Sequence, residues 1–135
     1  MADIRPVTDR LSVAPQLTQD EMTLAAQLGF TLIINNRPDG ESADQPSAAD
    51  METAARAQGM DYLHIPVVGA ATPDQVRQMT AAISECDGKV LAFCRSGTRS
   101  ITTWSRGRAA EGDDRGTLID LAAGAGYDLS GVLGR

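Results

Sequence analysis

The sequence has little of what staples or anchors a small protein: two cysteines, one histidine and no long apolar run in 135 residues. Two cysteines are too few for a disulfide framework, and their use fits a reducing compartment. One histidine and no close Cys/His spacing argue against a zinc site, and no cofactor is implied. No apolar run reaches the roughly eighteen residues of a membrane span. The N-terminus carries Asp3, Thr8 and Asp9 and lacks the apolar segment of a secretory signal. A cytoplasmic protein with no membrane partner is expected. Internal repeats, low-complexity tracts and long linkers are also missing, so residues 1–135 read as one domain. A chain of that length can bury a single core without a metal or a disulfide.

What is present is ordinary globular usage, 42% apolar and 22% charged. A net charge of −6 argues against a nucleic-acid partner. Within this acidic chain the stretch Arg95 to Arg108 holds four arginines and no acid. A local positive field of that kind suits a small anionic ligand.

Residues 1–10 read as a lead-in and Leu11–Ala14 as an edge strand stopped by Pro15. Thr18 and Glu21 have capping-box spacing, opening a helix to Leu28 with Met22, Leu24, Ala25 and Leu28 as its apolar face. Thr31–Asn35 is a β-branched run typical of a buried parallel strand. Asn36–Gln45 is a polar loop with Pro and Gly. A helix over Ala48–Gln58 follows, capped by Ser47, then a strand over Tyr62–Val67. Thr72-Pro73 opens a helix to about Cys86. Val90–Phe93 is the most apolar strand; a helix runs from Gly97 or Thr98 to Ala110 and another from Thr117 to Ala123. The last ten or so residues, from Tyr127, read as weakly structured. Alternating strands and helices predict an α/β fold: a mostly parallel central sheet of four to five strands with helices on both faces. Sites in such folds lie beyond the C-terminal strand ends, where loops 36–45, 68–72 and 94–98 emerge.

The chemistry concentrates in Cys94-Arg95-Ser96-Gly97-Thr98-Arg99-Ser100. The strand delivers Cys94 to the sheet edge, Gly97 permits a tight turn, and the helix that follows aims N–H groups back at the sulfur. Such a setting lowers a cysteine pKa from about 8.5 into a range of roughly 3.5–7.5. Arg99, one turn into the helix, can grip a tetrahedral oxyanion or a sulfur-bound anion. Ser96, Thr98 and Ser100 add hydroxyls. The plainer reading, a small buried hydrophobe at a strand end, leaves the glycine, the arginines and the hydroxyls unexplained. Arg95 reads equally as pocket rim and as a solvated charge. In Asn35-Asn36-Arg37-Pro38-Asp39-Gly40-Glu41, turn chemistry accounts for Asp39 and Glu41 better than an acid role does. Arg37 reads equally as a turn residue and as a second cation binding substrate. Trp104 and His64 read as packing residues. Cys86 is excluded as a resolving thiol, because strand Val90–Phe93 separates it from Cys94 by roughly 13–16 Å.

With these motifs, and with Arg10–Val13, His64-Ile65-Pro66-Val67 and Gly126-Tyr127-Asp128-Leu129, the chain resembles the phosphatase-like domain of beta-lactamase-hydrolase-like proteins. The resemblance spans nearly all residues. It implies a dual-specificity-phosphatase-like, cysteine-phosphatase fold. It leaves the reaction open, since members are described both as phosphatase-like and as sulfurtransferases, and in fused forms the domain sits beside one resembling persulfide dioxygenases. Two departures from ordinary cysteine phosphatases stand out. Four residues, not five, separate Cys94 from Arg99, as in the active loop of single-domain rhodaneses. The general-acid Asp of dual-specificity phosphatases is matched by Gly69, with Asp74 or Asp39 as substitutes. The first functional expectation is therefore a sulfurtransferase: Cys94 takes sulfane sulfur from a small anionic or persulfide substrate, and the Cys94 persulfide is held by the loop and Arg99. A phosphatase with a Cys94 phosphoenzyme is the second. The third is a non-catalytic anion- or persulfide-binding module docking with a persulfide dioxygenase-type partner.

Overall fold

A computed structural model describes residues 2–134. Its strands are β1 (Arg5–Pro6), β2 (Leu11–Ala14), β3 (Phe30–Asn35), β4 (Asp61–His64) and β5 (Lys89–Phe93). They form one sheet in the order β1-β2-β5-β3-β4. β2, β5, β3 and β4 run parallel, and β1 pairs antiparallel with β2. The helices are α1 (Glu21–Gln27), α2 (Ala48–Ala57), α3 (Pro73–Glu85), α4 (Thr98–Ala110), α5 (Arg115–Gly124) and α6 (Ser130–Leu133).

Side-chain alternation along the strands builds two cores. Leu11, Val13, Leu32, Ile34, Val90 and Ala92 face one side, packed with Met79 of α3, Ile101 and Trp104 of α4 and Leu118 of α5. Ala14, Ile33, Leu91 and Phe93 face the other, packed with Met22 of α1 and Met51 of α2. The expected α/β architecture, a mostly parallel sheet covered on both faces, is what the chain forms. Trp104 is a core residue, as its spacing suggests.

Register levels the functional edge. Phe93 stands opposite both Ala14 and Asn35, and Asn35 opposite His64. Four parallel strands thus end in one row, so the segments that follow them emerge side by side.

Four local expectations need correction. The lead-in contains β1, which pairs Arg5 with Val13, so β2 is not the sheet's edge. Thr18 and Glu21 do exchange capping bonds (2.8 and 3.2 Å), but Leu28 is 47% exposed and the buried face of α1 narrows to Met22 and Ala25. β4 ends at His64 because Pro66 has no N–H to give the ladder, although Ile65 N–H and Val67 N–H still reach Asn35 O and Asn36 O (2.9 and 3.0 Å). The tail from Tyr127 is packed rather than weakly structured: Tyr127, Leu129 and Leu133 are buried in the α4/α5 core, and α6 forms there. Apolar burial at those spaced positions offsets the cost of ordering the segment. Arg135 lies outside the described residues.

Candidate active site

Cys94 is the first residue past β5. Phe93 O just before it accepts from Asn36 N–H (2.8 Å), which ties the loop after β5 to the loop after β3. Three residues on, Gly97 takes φ +92° and heads α4, and its N–H donates to Cys94 Sγ at 3.1 Å. Glycine is required here twice over. The backbone is left-handed, and a Cβ would lie 2.1 Å from Tyr127 Oη. Gln16 N–H donates to Arg95 O (3.2 Å) and Tyr127 Oη to Ser96 O (2.8 Å), so the loop is held from two sides. Arg5 lies over the Tyr127 ring, 5.1 Å from its centroid. Burial, offset in part by Arg5, raises the Tyr127 hydroxyl pKa, so the phenol stays protonated as a donor.

The main-chain N–H groups of Arg95, Ser96, Arg99 and Ser100 bond to no other described residue. Two of them belong to the first turn of α4, where intrahelical partners do not exist. Ser100 Oγ is fully buried and also without a partner. Ser96 Oγ instead donates to Thr98 Oγ1 (3.0 Å) and accepts from Thr98 N–H (3.4 Å), bracing the turn. Ser96 and Thr98 are exposed, as is Arg95, whose side chain makes no bond to another described residue. Cys94 itself has no exposed surface. The exposed Arg95 and Ser96 follow it directly in the chain.

Arg99 is set by a carboxylate. Its Nη1 donates to Glu41 Oε2 (2.7 Å) and its Nη2 to Glu41 Oε1 (2.8 Å), while Nη1 also reaches Val67 O (2.9 Å). These bonds use the terminal edge of the fork and leave its Nε side free of Glu41 and Val67. Glu41 and then Cys94, by charge and hydrogen bonding, hold the guanidinium firmly protonated. Glu41 Oε1 also accepts from Arg37 Nε (2.9 Å). Arg99 first, and Arg37 next, hold the Glu41 carboxyl down at about 2 against the opposing effect of burial.

Arg37, expected as a substrate-binding cation, is instead buried at 4% exposure. Its side chain donates to Glu41, to Gln16 Oε1 (3.1 Å) and to Ser42 Oγ (3.5 Å), and it reaches Arg99 only through Glu41. Its backbone is fixed as well: Arg37 N–H donates to Asn35 Oδ1 (2.9 Å), and His64 Nε2 meets Arg37 O at 2.8 Å. His64 thus supports this loop from β4. Asp39 Oδ1 accepts from Ala48 N–H (2.7 Å) at the head of α2, and Asp74 pairs with Arg77. Sequence reasoning missed Glu41 as the residue that seats Arg99, and Tyr127 as the brace of the loop. The acid on Arg99 comes from 58 positions away, and Tyr127 from 31 beyond Ser96.

Residues 3–111 match the model of the beta-lactamase hydrolase-like protein, phosphatase-like domain. The chain belongs to that family. It is 40% identical over 126 residues to the beta-lactamase hydrolase-like protein of Agrobacterium fabrum, covering 91% of this chain and 29% of that protein. The chain thus spans less than a third of the length of the curated relatives it matches. Among solved structures it is similar to a candidate phosphatase from Neisseria meningitidis, with TM-score 0.85 and 34% identity over 96% of this chain and 92% of that one. The structure of Tk-PTP in its active form shares the fold, with TM-score 0.72 and 21% identity over 90% of this chain and 83% of that one. The family's phosphatase-like, cysteine-phosphatase fold is therefore the fold of this chain. Among the described residues no helix is long and apolar enough to cross a membrane.

Proposed function

We propose that this domain is a cysteine-dependent phosphatase, with Cys94 as nucleophile and Arg99 as the clamp on the phosphoryl oxygens. The observation that carries the reading is the seat of the sulfur: Gly97 N–H on Sγ at 3.1 Å, with Arg99 held beside it by Glu41. Membership of a phosphatase-like family supports it. The Cys94 thiolate attacks phosphorus, an S–P bond forms, and the P–O bond to the leaving group breaks with its electron pair going to that oxygen. Water then attacks phosphorus, the P–S bond breaks, and the thiolate is restored. Unpartnered N–H groups at the head of α4 and the free side of Arg99 take up the charge that develops on the three equatorial oxygens. Ser96, Gly97, Thr98 and Ser100 shape this cradle, and the exposed Arg95 draws in the anion.

The test is turnover of an aryl phosphate together with the mass of the quenched protein. Wild type is expected to release phosphate and to carry one phosphoryl group on Cys94, with both signals lost in Cys94→Ser. Turnover unaffected by Cys94→Ser would overturn the reading.

A second reading, sulfur transfer through a Cys94 persulfide passed to a dioxygenase-type partner, is favoured by one feature: only four residues lie between Cys94 and Arg99. It predicts that thiosulfate adds one sulfur atom to Cys94 while aryl phosphates are left intact.

A further inference from the structure

The loops that follow β3, β4 and β5, 36–47, 65–72 and 94–97, contain three carboxylates, Asp39, Glu41 and Asp44, and the loop after β2 adds Asp20 at the head of α1. The first three each have a place. Glu41 is spread across Arg99 and Arg37 and stays ionised down to about pH 2. Asp39 accepts from Ala48 N–H, and Asp44 from the Ser42 hydroxyl (2.9 Å). Three titratable side chains on adjoining elements are engaged as well. His64 meets Arg37 O, Asp74 pairs with Arg77, and the Tyr127 hydroxyl donates to Ser96 O. The segment next to Arg99, whose Val67 O takes one of its N–H groups, continues as Val68-Gly69-Ala70-Ala71, with Val68 79% exposed. It offers an apolar side chain and no proton.

We infer that this site cleaves phosphoryl donors whose leaving group departs as a stable oxyanion, a carboxylate or an acidic phenolate, and that it leaves alkyl phosphomonoesters intact. The inference rests on the phosphatase reading and narrows it to a substrate class. In the first step the P–O bond breaks as S–P forms, and the leaving oxygen keeps the electron pair as an anion, to be protonated later by bulk water if at all. An alkoxide leaving in that way is too basic, and a positioned acid normally contributes about 10²–10⁴-fold to such a step. A carboxylate from an acyl phosphate, or a nitrophenolate, needs no proton. The exposed Val68 gives the flat or apolar body of such a group a surface to rest on.

The test measures kcat/KM, which reports P–O cleavage and not the later hydrolysis, for wild-type protein on substituted phenyl phosphates from dinitro to methoxy, with acetyl phosphate and an alkyl phosphate alongside. The expected result is a fall of about three- to tenfold in kcat/KM for each unit rise in leaving-group pKa, fast turnover of acetyl phosphate, and no detectable turnover of the alkyl ester. A flat series with comparable alkyl turnover would place a working acid in the site and overturn the inference while leaving the phosphatase reading standing. No turnover even of the dinitrophenyl ester and acetyl phosphate would overturn both. Asp39→Asn is expected to leave the slope unchanged; a steeper slope in that variant would identify Asp39 as the acid and also overturn the inference.

Discussion

Glu41 and Arg99 meet edge to edge, both carboxylate oxygens on both terminal nitrogens, at 2.7 and 2.8 Å. With Val67 O on Nη1, this fixes the plane of the guanidinium and turns its Nε side away from Glu41. Glu41 is thus a positioning residue. Glu41→Gln keeps the shape but loses the charge-assisted fork, and kcat/KM on an activated aryl phosphate is expected to fall about tenfold, or about 1.4 kcal/mol.

The same pair leaves a signature in acid. The folded-state pKa of Glu41 is depressed from 4.5 to about 2, by Arg99 first and Arg37 next. A depressed carboxylate adds stability that is complete above the unfolded value and is lost as protons bind in the fold. Urea unfolding of the wild type should therefore weaken as pH falls from 4.5 towards 2, with the Glu41→Gln difference shrinking across that window. Because the Glu41 side chain is 30% exposed, raised salt should reduce the effect. A difference that is constant through the window would show that the ion pair contributes nothing to folding.

Arg37 carries a larger structural burden than its turn-like setting suggests. Its guanidinium is buried against Glu41, Gln16 and Ser42. Arg37→Met leaves the half-buried Gln16 carbonyl and one edge of Glu41 short of a donor, and a loss of about 2–3 kcal/mol in unfolding free energy is expected. Arg37→Lys should recover little of it, because an ammonium cannot span three acceptors in one plane. Denaturant midpoints of the three proteins settle the point, and an unchanged Arg37→Met midpoint would contradict the geometry.

The contrast between Arg37 and Cys94 shows what a linear chain discloses. Cys94, Gly97 and Arg99 sit within six consecutive positions, so strand, turn and helix signals fix their mutual placement by local rules alone. The alternation of Leu11–Ala14, Phe30–Asn35 and Lys89–Phe93 discloses the two-faced sheet in the same way. Glu41 read as turn chemistry because Pro38-Asp39-Gly40 precedes it, and its real partner became visible only once β3 and β5 lay side by side. The tail reads as loop for a related reason: Gly124, Gly126 and Asp128 look like loop punctuation, while burial of Tyr127, Leu129 and Leu133 depends on a surface built by other elements. Local signals disclose local geometry; contacts across dozens of positions need the packed molecule.

Gly97 and Tyr127 provide a test of how the tail supports the site. Gly97→Ala must place a Cβ on a residue at φ +92°, 2.1 Å from Tyr127 Oη and 2.9 Å from Cζ. Left-handed strain and displacement of the tyrosine together should cost about 2–4 kcal/mol of stability and most of the activity. Tyr127→Phe alone loses the bond to Ser96 O and should cost about 1 kcal/mol. In the double variant the Oη clash is gone but the Cζ contact and the backbone strain persist, so the two losses should add to less than their sum. Strict additivity in thermal and urea unfolding would mean that the tail does not press on the active loop.

Cys86 is the remaining thiol, and its position determines its chemistry. It follows α3 at the opposite edge of the sheet, with Sγ 3.4 Å from Thr31 Oγ1 near the start of β3. The strand Lys89–Phe93 lies between it and Cys94, a rise of about 16 Å, against the Cα separation of about 7 Å that a disulfide tolerates. Treatment of dilute protein with a mild oxidant should therefore yield no intramolecular bridge. Intact mass should show no loss of two hydrogens, and peptide mapping no Cys86–Cys94 linkage. Cys86→Ser should retain full turnover and the same rate of oxidative inactivation as wild type, because inactivation proceeds at Cys94. A linked peptide pair, or protection of activity by Cys86→Ser, would require β5 to detach from the sheet under native conditions, and the packing of Val90, Leu91, Ala92 and Phe93, all fully buried, opposes that opening.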